Sequence, residues 1–344
     1  MFNQTLAYIS IIDMKYLKTI GLKSNQPEGR GFVFPYDISF ASDGKIFAIN
    51  RGRFKQGWSS IHMLTFDEEW IGDFGRGKPN DNYHFELPIA LAFDSKDLLY
   101  LTDETLNEIK IFDTTGNFID KWNADGLGSD FDGPSGITID PEDFLYVVER
   151  NNNRVNKISP DGRSILNWGE FGTSEGQFNM PWGISLDSEN NVYVADWRND
   201  RIQKFTPDGE FISAYGESGY GEGQFNRPSS VVIDSKGNII VTDWGNERIQ
   251  ILNHDGSFKM FLRGEATLSK WAFDWFNANQ DEFDARMKSD LYVKQLPAHL
   301  RTPYHVGSQT EHVFFGPVSV KLDSEERLYI TEHSRSRIQI YEQN

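Results

Sequence analysis

The chain has 344 residues, 38% of them hydrophobic and 14% aromatic, ample for a buried core and too apolar for disorder. Its 34 basic residues against 51 acidic ones leave a net charge of −17, which repels phosphate backbones and anionic membranes, so neither nucleic acid nor a membrane is an expected partner. There is no cysteine, which excludes disulfides, thiolate nucleophiles and Cys-ligated metals.

The opening residues, MFNQTLAYISIIDMKYLK, carry no basic leading segment, and Asp13 interrupts their apolar run. No signal peptide or membrane span is expected there, and the location expected is cytoplasmic. Without a secretory signal the triplet Asn3-Gln4-Thr5 is set aside as a glycosylation site. Next comes Lys15–Gly21, KYLKTIG, a strand that matches the later Glu210–Gly216, EFISAYG.

From there the chain repeats itself. Pro35, Pro88, Pro134, Pro181, Pro228 and Pro317 each precede an alternating apolar segment that ends in Asp or a near equivalent, at intervals of 53, 46, 47, 47 and 89 residues. A period in the forties points to a propeller or a solenoid. Each unit holds four short strands. In the fourth unit these are Ile184–Asp187, Val192–Ala195, Arg201–Phe205 and Phe211–Tyr215, joined by turns such as Ser188-Glu189-Asn190-Asn191 and Pro207-Asp208-Gly209. The third and fifth units repeat the scheme with Phe144–Val148, Val231–Asp234 and Ile239–Thr242. No helix-period segment separates these strands, which argues against a βαβ fold. The sixth unit stops after three strands, and the early Lys15–Gly21 strand supplies its fourth. The expected fold is therefore all-β. It is one six-bladed β-propeller domain over residues 1–344, closed by an N-terminal strand that completes the C-terminal blade, with one helical insertion between blades five and six.

The insertion is read from length. The last interval exceeds the usual 47 by 42 residues, which fall within Ala266–His312. Ser269 can cap a helix carrying Trp271, Ala272, Trp275 and Phe276 on one side, and Asn279 with Glu282 can cap a second with Phe283, Met287 and Leu291. Those apolar sides must be buried, either as a lid or wall over the central opening or on the outer side of a neighbouring blade or subunit.

The phrase G-x-x-x-G-x-F-x-x-P at Gly219–Pro228, and V-A-D-W-x-N-x-R-I-Q ending in Asp196–Gln203, resemble the NHL repeat. Blade one departs from it: Asn50 replaces the acid, and Ser60 stands where the Arg precedes Ile61. The resemblance implies a propeller and leaves two uses for it, since NHL-type propellers serve both as enzymes and as docking platforms. The peptidyl-hydroxyglycine amidating lyases are similar overall and carry zinc on His residues directly after the blade-opening Pro. Here those positions hold Tyr36, Ile89, Ser135, Trp182, Ser229 and Val318, so that zinc triad is not carried over. No motif of the calcium-dependent propeller lactonases is matched.

Two loops of each blade share one rim. The acids Asp103, Glu149, Asp196, Asp243 and Glu332 recur there, and Arg154, Arg201, Arg248 and Arg337 each follow five residues on from one of them. The ring of acids could bind a cation such as calcium, or each acid could cap its own loop and pair with its Arg. More informative are rim residues that differ between blades. Tyr36, Trp182, Trp197, Arg198 and Trp244 are candidate ligand-binding residues, and His333, Arg51, Arg150 and Glu104 candidate catalytic ones. The three Trp line a pocket or pack blade against blade. His305, His312 and His333 are candidate ligands of a divalent metal such as zinc, although the spacings of His299, His305 and His312 fit no compact zinc motif. The function expected is binding of a small molecule at a lidded channel mouth, with lyase- or hydrolase-type chemistry. The alternative is a non-catalytic platform for a protein or peptide, for which the acidic surface favours a cationic partner.

Overall fold

The computed structural model describes residues 14–343 except 27, 53–56, 129 and 292–295. The Asn3-Gln4-Thr5 triplet and most of the opening segment lie outside the described residues.

Six four-stranded antiparallel sheets form the blades. In blade four the strands run Ile184–Leu186, Val192–Asp196, Arg201–Phe205 and Phe211–Tyr215, from the central channel outward. Burial falls along the same direction. Every residue of Val192–Asp196 is buried, whereas Phe211–Tyr215 alternates between half-buried and exposed. That gradient explains the sequence pattern, since the second strand is covered by blades on both faces and reads as continuously apolar, while the outer strand has one wet face. The tight hairpin after the second strand pairs Asp196 with Arg201 and turns at Asp200, whose φ is 54°. Glu247 takes the same left-handed corner in blade five, at φ 50°.

The sixth blade is completed as expected. Its strands Pro317–Leu322, Leu328–Glu332 and Arg337–Gln343 are joined by Met14–Ile20, which pairs antiparallel with Arg337–Gln343 from Met14↔Gln343 to Ile20↔Ile338. On the lower face, neighbouring blades are tied through serines. Ser42 binds Asp97, Ser95 binds Asp143, and Ser235 binds Glu326, and each of these acids sits at a left-handed turn of the next blade.

Among the described residues, four short α-helices interrupt the strands. Helix α1 (Ala124–Leu127) lies in the loop that leads into blade three, outside the helices expected in the insertion. In the insertion, α2 (Lys270–Ala278) begins at Ser269, whose hydroxyl accepts the Ala272 N–H and donates to the Gly21 carbonyl. Trp271 is 2% exposed. Its indole N–H donates to the Glu68 carbonyl at 2.6 Å, and its ring lies 5.7 Å from Phe32 and 6.0 Å from Trp70. This helix therefore docks on the flank where the outer strand of blade six meets blade one. Helix α3 (Gln280–Lys288) is held by an Arg286–Glu311 ion pair and leaves Met287 exposed. The capping expected of Asn279 differs: its side chain donates to the Trp275 carbonyl, closing the end of α2 instead of opening α3. Helix α4 (Pro303–Gln309) returns to the rim and packs beside the turn Trp244–Asn246, with the carbonyl of Gly307 accepting from Arg335 at 2.7 Å.

Candidate functional site

The upper rim is built by one device repeated around the ring. In blade four, Asp196 accepts the Asn179 N–H at 2.8 Å, Asn199 Nδ2 at 2.9 Å, Arg201 Nε at 2.9 Å and Gln203 Nε2 at 3.1 Å. Asp243 repeats this with the Asn226 N–H, Asn246 and Arg248, and Glu332 with the Phe315 N–H, Arg337 and Gln339. Glu149 does so with the Asp132 N–H, Asn152, Arg154 and Asn156. Each Arg then reaches further: Arg248 donates to the carbonyls of Tyr220, Gly221 and Gln224. A buried carboxylate with this many donors is satisfied within its own blade. These acids are therefore turned into their blades, toward the loop in front of each Pro.

Blades one and two alter the device. Asp103 accepts the Glu86 and Leu87 N–H groups, but Glu108 stands where the Arg would be. Asn50 accepts the Val33 N–H at 2.6 Å and contacts His62 Nε2 at 3.0 Å. His62 occupies the place of Gln203 and is fully buried, and burial pulls its pKa down to about 3. It is thus neutral at physiological pH.

This anchoring fixes two variable residues per blade, one directly after the acid and one directly after the Pro. The first set is Arg51, Glu104, Arg150, Trp197, Trp244 and His333. The second is Tyr36, Ile89, Ser135, Trp182, Ser229 and Val318. Members of both sets meet in a cavity of about 220 Å3 at the channel mouth, lined by Tyr36, Arg51, Trp182, Trp197, Ser229, Trp244, Val318 and His333. Below it the channel narrows to about 30 Å3, closed in part by Asp37, Ser319 and Lys321. Asp37 there accepts the Leu91 N–H at 2.9 Å and pairs with Ser319 and, at 3.4 Å, with Lys321.

The aromatic side of the mouth is a fan of tilted rings. Trp182 and Trp197 lie 5.8 Å apart, and Trp197 and Trp244 6.4 Å, each pair at 49°. Tyr36 links the fan to His333, at 6.3 Å from Trp182 and 5.8 Å from His333. Burial, and then the Arg51 charge, hold the His333 pKa down to about 4, so its ring is neutral at physiological pH. Burial likewise keeps the Tyr36 hydroxyl protonated. On the polar side, the Arg51 guanidinium lies over the Tyr36 ring with Cζ 3.7 Å from the centroid, and its Nε is buried without a hydrogen-bond partner among the described residues. Arg150 binds Glu104 at 2.5 Å and covers Trp182. Burial raises the Glu104 pKa, with Arg150 and Arg51 opposing the rise.

Of the residues singled out in the sequence, Tyr36, Arg51, Trp182, Trp197, Trp244 and His333 thus come together around one cavity. Glu104 and Arg150 stand behind it as a pair, and Arg198 lies exposed against the outer side of Trp197. The three expected metal ligands do not converge. His305 is on α4, bonded to Thr302 at 2.7 Å, the carbonyl of His312 accepts the Ala266 N–H, and His333 is stacked on Phe34 at 4.8 Å. Among the described residues, no three His, Asp or Glu side chains are grouped to hold a metal ion. The helical insertion broke the link between sequence spacing and position, because it leaves the rim and returns to it elsewhere.

Two contributors went unnoticed in the sequence. Phe34 backs His333, and Arg227 covers Trp197 at 5.0 Å. Both directly precede a blade-opening Pro and sit at positive φ, 58° and 55°, where blades three and six use Gly133 and Gly316. A bulky residue in a glycine position was the available signal.

Residues 131–158, 178–205 and 225–252 match the NHL repeat. These stretches cover the lead-in loops and first three strands of blades three, four and five, where the anchor device is most regular. No curated protein sequence matches the chain. Among solved structures it resembles virginiamycin B lyase from Staphylococcus aureus, at 16% identity and a TM-score of 0.54, over 95% of this chain and 99% of that one. A protein from Bacteroides thetaiotaomicron aligns at 16% identity and a TM-score of 0.61, over 95% of this chain and 75% of its own. A chain of a nidogen/laminin complex aligns at 15% identity and a TM-score of 0.54, over 72% of this chain and 92% of its own. At such identities the likeness is one of fold.

Proposed function

We propose that this six-bladed propeller carrying NHL repeats binds a small organic molecule at the mouth of its central channel. One observation carries the reading. The positions next to the anchors are equivalent by the repeat, yet they diverge from blade to blade, and the divergent residues of four blades surround one cavity. Residues that only pack blades together have no reason to differ in this way, whereas a site for an asymmetric ligand does.

The chemistry we assign to the site is of the lyase or hydrolase type. In a lyase step neutral His333 takes a proton from the carbon next to the scissile bond, the freed electron pair forms the new double bond as the scissile bond breaks, and the Tyr36 hydroxyl protonates the leaving group. Burial makes His333 a weak base, so the substrate must be acidified where it is held, which is the role of the Arg51 charge. The Glu104–Arg150 pair holds that side of the mouth in place. Helix α4 packs beside the Trp244 turn and supplies none of the residues that line the cavity. The virginiamycin B lyase fold is compatible with such a use.

The test is a titration of wild-type protein, Trp197→Ala and Trp244→Ala with a panel of small aromatic and carboxylic molecules, followed by tryptophan emission and by calorimetry. Saturable binding in the wild type that weakens at least tenfold in both variants, with melting temperatures within a few degrees, is the expected result. A panel that binds equally well to all three proteins would refute the assignment.

A second reading rests on Phe171 and Tyr220, which are 71% and 68% exposed in the lead-in loops of blades four and five. Large rings held out in water on neighbouring loops suit a protein or peptide partner. Pull-down with Phe171→Ser/Tyr220→Ser as the control separates it from the first.

A further inference from the structure

The mouth has a charge that the molecule as a whole lacks. The chain carries −17, yet the side chains lining the cavity include no carboxylate, and their single formal charge is the Arg51 guanidinium. Arg51 has no ion-pair partner among the described residues, in contrast to Arg150, Arg154, Arg201, Arg248 and Arg337, each of which is bound to an acid. The nearby acid, Glu104, is ion-paired through Oε1 with Arg150 at 2.5 Å, while its other oxygen has no hydrogen-bond partner among the described residues. His333, neutral at physiological pH, adds no charge of its own and can accept or donate a hydrogen bond.

Position matters as much as charge. The Tyr36 ring fixes where the Arg51 guanidinium lies, with Cζ 3.7 Å from the ring centroid, at a position that lines the cavity. A planar, pre-oriented fork that lacks an acid recognises a carboxylate in two-point fashion. Trp182, Trp197 and Trp244 line the same cavity, neighbouring rings tilted at 49°, which suits an apolar aromatic body on the ligand. A cation is disfavoured here by charge, because Arg51, Arg150, Arg198 and Arg227 already lie against Tyr36, Trp182 and Trp197.

From this we infer that the ligand class is an aromatic monocarboxylate, its carboxylate on Arg51 and its ring among the tryptophans. The inference rests on the reading of the mouth as a small-molecule site, and it specifies what that site selects.

The test uses three probes of one shape and different charge: 2-naphthoate, 2-naphthylmethanol and 2-naphthylmethylammonium. Each is titrated calorimetrically into the full-length protein, Arg51→Met and Trp244→Ala. The methionine keeps an apolar stem near Tyr36 and removes the charge. The expected ranking in the wild type is naphthoate at least tenfold tighter than the alcohol, with the ammonium weakest. Arg51→Met should weaken naphthoate at least tenfold and leave the alcohol unchanged, while Trp244→Ala should weaken both. If the alcohol or the ammonium binds as tightly as naphthoate and Trp244→Ala abolishes that binding, the carboxylate assignment is overturned and the pocket stands. If none of the three binds, both fall. Should Arg51→Met fail to fold, the wild-type ranking alone decides.

Discussion

Replacing Glu247 by Gln should stabilise the protein at pH 8 and leave it nearly unchanged below pH 5. Glu247 sits at the left-handed corner between blades five and six, where its carboxylate accepts the Gly316 N–H at 2.6 Å. Burial above all, with help from the Glu332 charge, pushes its pKa from 4.5 to about 7 against the opposing effects of the Gly316 N–H and Arg335. The folded value lies above the unfolded one, so as pH rises the unfolded chain gives up this proton first. The folded state is therefore favoured fully below the unfolded value and loses that advantage as pH climbs through about 7. At roughly 1.4 kcal/mol per pH unit the window allows a loss of about 3 kcal/mol, and solvent reaching a partly buried carboxylate cuts this to about 1 to 2 kcal/mol. Glutamine keeps an oxygen for the Gly316 N–H and cannot ionise. Urea unfolding of both proteins in half-unit steps from pH 5 to 8.5 reads the effect directly. The advantage of Glu247→Gln should grow with pH and level off above about 7. A constant difference, or a variant less stable at pH 8, would show that the Gly316 and Arg335 contacts outweigh burial.

Two further outcomes follow from packing. Arg248→Met leaves Asp243 buried without its charge partner and releases the carbonyls of Tyr220, Gly221 and Gln224, so a loss of about 3 to 5 kcal/mol is expected in denaturant unfolding. Restoring that stability with Asp243→Asn on top would confirm that the stranded charge is the cause. Trp271→Ala should cost about 3 to 5 kcal/mol, because the ring is buried between blade one and blade six. Excision of Ala266–His312 should therefore give a propeller that still folds but melts well below the intact protein. An unchanged melting temperature would mean that α2 contributes nothing to the seam between these blades.

The architecture was legible because each blade restates it. Pro, acid, Arg and the turn glycines recur at fixed spacing, and the second strand's continuous apolar run can be satisfied only between two other blades. Even the closing strand could be read, since KYLKTIG matches EFISAYG. The rim was legible for the same reason: the repeat marks the position after each anchor, where Trp197 and Trp244 stand in the regular blades and Arg51 and His333 depart from them. Legibility ended at the insertion, which has no second copy to compare with. Its apolar residues Trp271 and Trp275 look alike in the sequence, yet the first is buried and the second is 42% exposed, because only one faces the blade flank. The expected histidine cluster failed there too, as spacing along an unrepeated segment says little about distance in space.

The sixth blade joins strands more than three hundred residues apart, and this gives the ring a seam. Every other blade can form from a continuous stretch of about forty residues, with local turns to guide it. The pairing of Met14–Ile20 with Arg337–Gln343 must wait until everything between them is in place, and it closes by far the longest loop in the molecule. The seam is thus the joint expected to form last and to open first. Because Ser269 holds Gly21, at the end of the closing strand, while Trp271 holds Glu68 of blade one, the insertion acts there as a clasp. Whatever strains the clasp loosens the circle of blades, and with it the spacing of the residues that ring the mouth.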